Sequence, residues 1–164
     1  MKPNRVTLYN IIFPFWLLCM LPFAWLFVLP ANFVIDLAVL CLALNCMRSP
    51  DVWTTAKQAI VRVWLLGFAA DFIGTAGMLF ANFLEARGVL DADFLYALDY
   101  NPFTDPAALV WAAACVLLSA GCIYGFNRRF ALKALDPARR KTAALALAVF
   151  TAPYFFLLPT AWFF

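Results

Sequence analysis

Long apolar runs, separated by short charged connectors, are the feature that most limits how this chain can fold. Several runs approach the ~20 apolar residues that a helix needs to cross a bilayer. Hydrophobic residues make up 66% of the chain and charged residues only 13%, whereas an average soluble domain carries about 25% charged residues. A chain of 164 residues cannot hide that much apolar surface in one small globule. We therefore predict an integral membrane protein.

The lengths of the apolar runs predict an all-α fold, a polytopic transmembrane helical bundle of about five spans that forms a single domain over residues 1–164. The predicted spans are 9–29, 31–47, 61–83, 106–125 and 143–162. Pro30 separates the first two runs, which together are too long for one span, so a tight hairpin at residues 29–32 is the economical interpretation. One long broken helix is the alternative. The pairs Asp105-Pro106 and Asp136-Pro137 each predict a helix start.

The positions of Lys and Arg predict the orientation of this bundle. With the N-terminus in the cytoplasm, eleven of the 12 basic residues lie on the cytoplasmic side, in the head of the chain, at residues 48–62 and in the loop 127–141. The remaining one, Arg87, lies outside, in a loop (85–105) that carries five acids and a predicted short helix at 93–98. Because short cytoplasmic loops accumulate Lys and Arg, we predict a multi-pass protein of the plasma or inner membrane with an external C-terminus.

Two carboxylates interrupt the predicted spans, and an ionisable group inside a span costs at least ~2.5–3.5 kcal/mol. Asp71 lies ~18 Å from Phe83, near the middle of the bilayer, and Asp36 lies ~7 Å from the outer end of its span. The depth of Asp71 predicts Ser119 and Thr151 as its partners. The candidate coupling or ion site therefore consists of Asp71, Asp36, Thr75, Ser119 and Thr151.

Small residues on the third and fourth predicted spans predict close helix packing. Gly67 and Gly74 recur with Asp71 at three- and four-residue steps, which places a small and polar stripe toward the bundle. Gly121 and Gly125 form a GxxxG motif that also suits a close contact, either with another span or with a second copy. These contacts support an alternative to the ion site, in which Asp71 only holds helices together through hydrogen bonds.

The basic loop 127–141 has two interpretations. Its side chains favour contact with anionic lipid headgroups on the cytoplasmic side, at roughly 1 kcal/mol per charge near the surface. The predicted headgroup contacts are Arg128, Arg129, Arg139, Arg140 and Lys141. The plainer interpretation is that these charges only fix the orientation of the protein.

The residue types argue against enzymatic chemistry. The chain has no histidine, its 5 cysteines form no CxxC pair, and Asp36 and Asp71 are predicted to differ by about 10 Å in depth. We therefore predict no enzyme, no metal and no cofactor. The predicted function is a small membrane component of transport, either a carrier or channel or a subunit of one. The alternative is a structural or partner-binding membrane protein. The predicted partners are the lipid bilayer and a second copy or a membrane subunit, with no nucleic acid.

Overall fold

The described part of the chain, residues 22–160 of a computed structural model, is helical and contains no strand; side chains are described from residue 26 onward. The elements in chain order are α1 (Pro22–Cys46), α2 (Val52–Ala86), α3 (Ala92–Tyr100), a 3-10 turn (Pro102–Thr104), α4 (Pro106–Phe126), a π-helical turn (Asn127–Ala131), α5 (Pro137–Phe150) and a second 3-10 turn (Tyr154–Leu157). The predicted all-α fold class is confirmed over this range.

Three helices are long and apolar enough to cross a membrane. They are Leu26–Cys46 within α1, the whole of α2, and Pro106–Ala131, which joins α4 to the π-helical turn. The outward faces of these helices carry large apolar side chains, such as Phe27, 76% exposed, and Leu117, 71% exposed. Apolar surface of this extent indicates contact with lipid rather than with water.

The predicted hairpin at residues 29–32 is wrong, because α1 continues through Pro30. A proline is tolerated inside a membrane helix where neighbouring helices support the local backbone. Here the Trp64 indole of α2 donates a hydrogen bond to the Leu29 carbonyl oxygen over 3.2 Å. The boundary between predicted spans 9–29 and 31–47 is therefore not a turn. Residues 9–21 lie outside the described part of the chain, and the cytoplasmic N-terminus stays a prediction.

The predicted span 143–162 is not one continuous helix over its described residues. α5 ends at Phe150, and a bend at Thr151 and Ala152 leads into the second 3-10 turn. The physical reason is Pro153, which has no N–H to donate to the carbonyl oxygen of Val149. The Tyr154 hydroxyl donates to that oxygen instead. Residues 22–160 contain three span-capable helices, and the count of five spans stays a prediction.

Two predicted helix starts are confirmed by their capping bonds. Asp105 Oδ1 accepts hydrogen bonds from the backbone N–H groups of Ala107 and Ala108, over 2.6 and 3.1 Å. Asp136 Oδ2 accepts one from the N–H of Arg139 over 3.1 Å. Each acid satisfies donors that the first turn of a helix leaves without an internal partner. The short helix predicted at 93–98 is also present, as α3.

α2 and α4 pack closely because glycines line the contact. The Trp111 indole of α4 donates a hydrogen bond to the Gly77 carbonyl oxygen over 3.1 Å. A Cβ added to Gly74 would lie 2.9 Å from the Phe156 ring and 3.0 Å from Ser119 Cβ. Atoms do not approach that closely, so only glycine permits this helix contact. The predicted packing role of Gly74 is confirmed.

Gly74→Ala is expected to destabilise the protein by about 1–3 kcal/mol, because the added methyl group overpacks a tight contact. Gly121→Ala is the matched control, since no atom lies within 4 Å of the added Cβ there. Alanine also has the higher helix propensity, so the control should be neutral or slightly stabilising. Thermal unfolding of both variants in the same detergent measures the difference. Equal melting temperatures would contradict the contact.

Charged residues segregate to the two ends of the described bundle. The basic end consists of the loop between α1 and α2, the π-helical turn and the start of α5. At this end Ala56 and Ala59 pack in one core with Leu132 and Leu135. The acidic end consists of the loop that follows α2, the helix α3 and the start of α4. Thr160 contacts this end by a 2.8 Å hydrogen bond from its hydroxyl to the Asp99 carbonyl oxygen. Which of the two ends faces the cytoplasm stays a prediction, based on the positive-inside rule.

Asp99 at the acidic end predicts a pH-dependent stability. Burial raises the pKa of its carboxyl from 3.8 to about 6, so the folded state holds this proton more tightly than the unfolded state. Stability contributed by Asp99 is therefore greatest below pH ~4 and is lost as the pH rises through about 6. Asp99→Asn should raise the melting temperature near pH 7 and have little effect near pH 4. The exposed Asp93→Asn variant is the control, and an unchanged melting temperature for Asp99→Asn at pH 7 would refute the prediction.

Candidate ion site at the bend after α5

α1, α2 and the bend after α5 meet at a groove with a volume of about 160 Å³. Polar side chains from all three segments line it, namely Asn32 and Asp36 of α1, Asp71 of α2 and Thr151 of the bend. The other lining residues are apolar or aromatic: Ile35, Trp64, Gly67, Phe68, Phe150, Ala152, Pro153 and Phe155. Because a water molecule takes ~30 Å³ of liquid volume, the groove has room for several.

Asp36 is almost fully buried at this groove, with 7% of its surface exposed. Its Oδ2 lies 3.6 Å from the position that a Cβ on Gly67 would occupy, which places the carboxyl against α2. The Thr151 side chain lies within hydrogen-bond reach of the carboxyl, while its hydroxyl donates to the Leu147 carbonyl oxygen over 2.8 Å.

Asp71 is held by a hydrogen bond between helices. The Ser119 hydroxyl of α4 donates to Asp71 Oδ1 over 3.0 Å, and Ser119 is completely buried. The predicted contact between Asp71 and Ser119 is thus confirmed. Thr151, the second predicted partner, interacts with Asp36 and lines the same groove as Asp71.

The two carboxyl groups lie at one level, which corrects the predicted ~10 Å difference in depth. Both line the groove, and they interact electrostatically. The error followed from the hairpin, which started a new span at residue 31. In the continuous α1, Asp36 lies ~21 Å from Pro22, and Asp71 lies ~22 Å from the end of α2 at Ala86, both measured from the acidic end.

The carboxyl groups have no basic neighbour among the described residues of the groove. None of the described lining residues is basic, and Arg62 lies in a separate groove near the basic end, with Thr55 and Gln58. Two charged carboxylates that share a largely buried site repel each other and are costly to bury. A bound proton or a bound cation would remove this cost.

Two features of the groove were not predicted from the sequence, and one predicted site residue does not line it. Asn32 lines it one helical turn before Asp36, and the i, i+4 spacing of the two residues on α1 is a signal for their shared face. The bend at Thr151 has a signal in Pro153. The predicted site residue that does not line the groove is Thr75.

The glycines of the predicted GxxxG motif do not pack against another described helix. Gly121 and Gly125 are exposed, and a Cβ added to either would have no atom within 4 Å among the described residues. The motif lies on the outward face of α4, so the predicted contact with another span is not formed within residues 22–160, and contact with a second copy stays a prediction. Gly67, in contrast, lies where predicted, at the contact between α1 and α2.

The predicted headgroup contacts fall into two sets. Arg128, Arg129 and Arg140 line a larger cavity at the basic end, of about 690 Å³. Arg139 instead pairs with Asp136 over 3.5 Å, and the exposed Lys141 is not a lining residue.

The comparisons with known proteins identify no relative. The chain matches no protein-family model, no curated protein and no solved structure. Within residues 22–160, no group of three or more His, Cys, Asp or Glu side chains is placed to hold a metal ion. The function must therefore be argued from the groove itself.

Proposed function

We propose that this chain is a small, non-enzymatic membrane component of transport in which Asp36 and Asp71 bind a proton or a monovalent cation. The observation that carries the proposal is the convergence of the two carboxyl groups, from the middle of two span-capable helices, on one groove whose described lining has no basic residue. Ionisable groups at membrane depth commonly mark ion or proton pathways.

The break after α5 supports a cation rather than an anion. Irregular backbone at membrane depth is tolerated where it is buried in protein or lines a water-filled cavity. In transporters, the C-terminal ends of broken helices commonly contribute carbonyl oxygens to a cation site. α5 ends at Phe150, a residue of the groove, so the negative end of its dipole adds to the two carboxyl groups.

A structural role is the alternative function, and one contact favours it. The hydrogen bond from Ser119 to Asp71 joins α4 to α2, and such bonds between membrane helices contribute about 0.6–2 kcal/mol on their own. Under this alternative the groove binds no ion, and the protein holds a partner or a second copy in the membrane.

Two measurements on the full chain test the proposal. Proteoliposomes that carry the protein should dissipate an imposed proton or Na⁺ gradient faster than protein-free vesicles. Infrared difference spectra after a pH or Na⁺ jump should contain a carboxyl band that changes position or loses intensity in Asp71→Asn. The spectra detect ion binding even without flux, so they also test the case in which the protein is a transport subunit that moves ions only together with a partner. Absence of both the flux and the band would refute the proposal and leave the structural role.

A further inference from the structure

A second cavity, distinct from the groove, lies at the basic end of the bundle. Its volume is about 690 Å³, and it is lined by Tyr124, Gly125, Arg128, Arg129, Lys133 and Arg140. We call it the basic pocket. It gathers four cationic side chains from the π-helical turn, the following loop and the start of α5, and no carboxylate is among its described lining residues.

Hydrogen bonds fix two of the guanidinium groups of the basic pocket. Arg140 donates from Nη2 to the carbonyl oxygens of Lys133 and Leu135, over 2.8 and 2.7 Å, while its buried Nε has no partner among the described residues. Arg128 donates from Nη1 to the Tyr124 hydroxyl over 3.0 Å. Guanidinium groups held in this way are already ordered, so less conformational entropy is lost when an anion binds.

The ligand chemistry that fits this arrangement is a phosphate group. Phosphate oxygens accept paired hydrogen bonds from a planar guanidinium, and several cations together balance its charge. The π-helical turn that carries Arg128 and Arg129 is a rare distortion, found often at functional sites. The basic pocket is therefore better suited to phosphate than to an isolated carboxylate.

The surface next to the basic pocket identifies a lipid as the source of the phosphate. Leu117, Gly121 and Gly125 follow one another at four-residue steps along the outward face of α4, and all three are exposed. The two glycines leave this face without side-chain bulk, because nothing lies within 4 Å of an added Cβ at either position. The face belongs to a span-capable helix and ends at the basic pocket, which Gly125 lines.

From these observations we infer that the basic pocket binds the phosphate of an anionic phospholipid, with an acyl chain lying along Gly121 and Leu117. Basic pockets next to membrane helices are known to bind anionic headgroups. The inference is independent of the proposed function, since neither Asp36 nor Asp71 lines this pocket.

Lipid binding to the full-length protein in a neutral detergent tests the inference. Native mass spectrometry and thermal unfolding would be recorded with phosphatidic acid, with phosphatidylcholine and with inorganic phosphate. Phosphatidic acid should bind and raise the melting temperature, whereas the other two should have little effect. Equal protection by inorganic phosphate would overturn the lipid assignment. Equal protection by phosphatidylcholine would overturn the phosphate site, because its headgroup is zwitterionic.

Matched variants separate a discrete site from general surface charge. The double variant Arg128→Gln/Arg129→Gln should lower the affinity for phosphatidic acid about tenfold or more, because it removes charge-assisted hydrogen bonds. Arg139→Gln/Lys141→Gln removes the same charge from residues outside the pocket and should leave the affinity nearly unchanged. Equal losses in the two variants would overturn the inference.

Gly125→Leu provides a test that leaves every charge in place. The added side chain enters open space, so the fold should be kept while the basic pocket is filled. Phosphatidic acid binding should then fall about as far as in Arg128→Gln/Arg129→Gln. Unchanged binding to a folded Gly125→Leu protein would refute a ligand at this position.

Discussion

Asp71→Asn is expected to reduce ion flux to the level of protein-free vesicles while leaving the protein folded and inserted. Asparagine keeps the size of the side chain and an amide oxygen, which can accept the hydrogen bond that Ser119 donates over 3.0 Å. It cannot exchange a proton or carry a negative charge. The variant therefore separates ion binding from helix packing.

Asp71→Leu is the complementary variant, because it removes the acceptor as well as the charge. Ser119 is completely buried, so the loss of the interhelical bond should cost about 0.6–2 kcal/mol. Ser119→Ala is the control that removes the same bond but keeps the carboxyl. It should lower the melting temperature in the same direction and retain flux.

Where the wild-type protein shows flux, the two roles of Asp71 predict different patterns for these three variants. If Asp71 binds the transported ion, both substitutions of Asp71 abolish flux, and only Asp71→Leu and Ser119→Ala lower stability. If Asp71 only joins helices in a protein that conducts by another path, flux follows stability in every variant. Full flux in a folded Asp71→Asn protein would refute its role as an ion site.

Asp36→Asn extends this test to the other carboxyl of the groove. The two groups line one groove and interact electrostatically, so substitution of Asp36 removes the repulsion that a bound proton or cation relieves. The infrared carboxyl band should shift in Asp36→Asn, because the remaining group then titrates alone. An unchanged band would show that the two groups bind protons independently.

The helices of this bundle were predictable because the length and hydropathy of a run are local properties of the sequence. α4 illustrates this best. Its start is fixed by the Asp105 cap and by Pro106. The depth of Ser119 in the membrane could therefore be counted along the helix from its correct first residue. The predicted contact with Asp71 followed from that count and is present in the structure.

The groove was less predictable because it depends on contacts between distant segments. Pro30 fits both a turn and an interior position of a membrane helix, and the Trp64 bond that joins α2 to α1 beside Pro30 links residues 35 positions apart. The incorrect turn then shifted the depth of Asp36. The third wall comes from the bend at Thr151, and no local pattern shows that this bend lies beside Asp36 and Asp71.

Cysteine labelling from the two sides of the membrane is expected to give an all-or-none result at the two ends of the bundle. In a background without the native cysteines, Asp93→Cys should react with a membrane-impermeant maleimide added outside intact cells. Lys133→Cys should react only after the cells are broken. Both positions are exposed, so the barrier to reaction is the bilayer rather than the protein.

The physical reason for this expectation is the charge at the two ends. Nine of the ten basic residues in the described part lie at the basic end, and five acids with Arg87 lie at the acidic end. Short basic loops are retained in the cytoplasm, so the basic pocket should face the anionic inner leaflet and Asp93 should face outside. Labelling of both positions in broken cells is the control for thiol reactivity. Reaction of Lys133→Cys, and not of Asp93→Cys, in intact cells would reverse the orientation and place the basic pocket outside the cell.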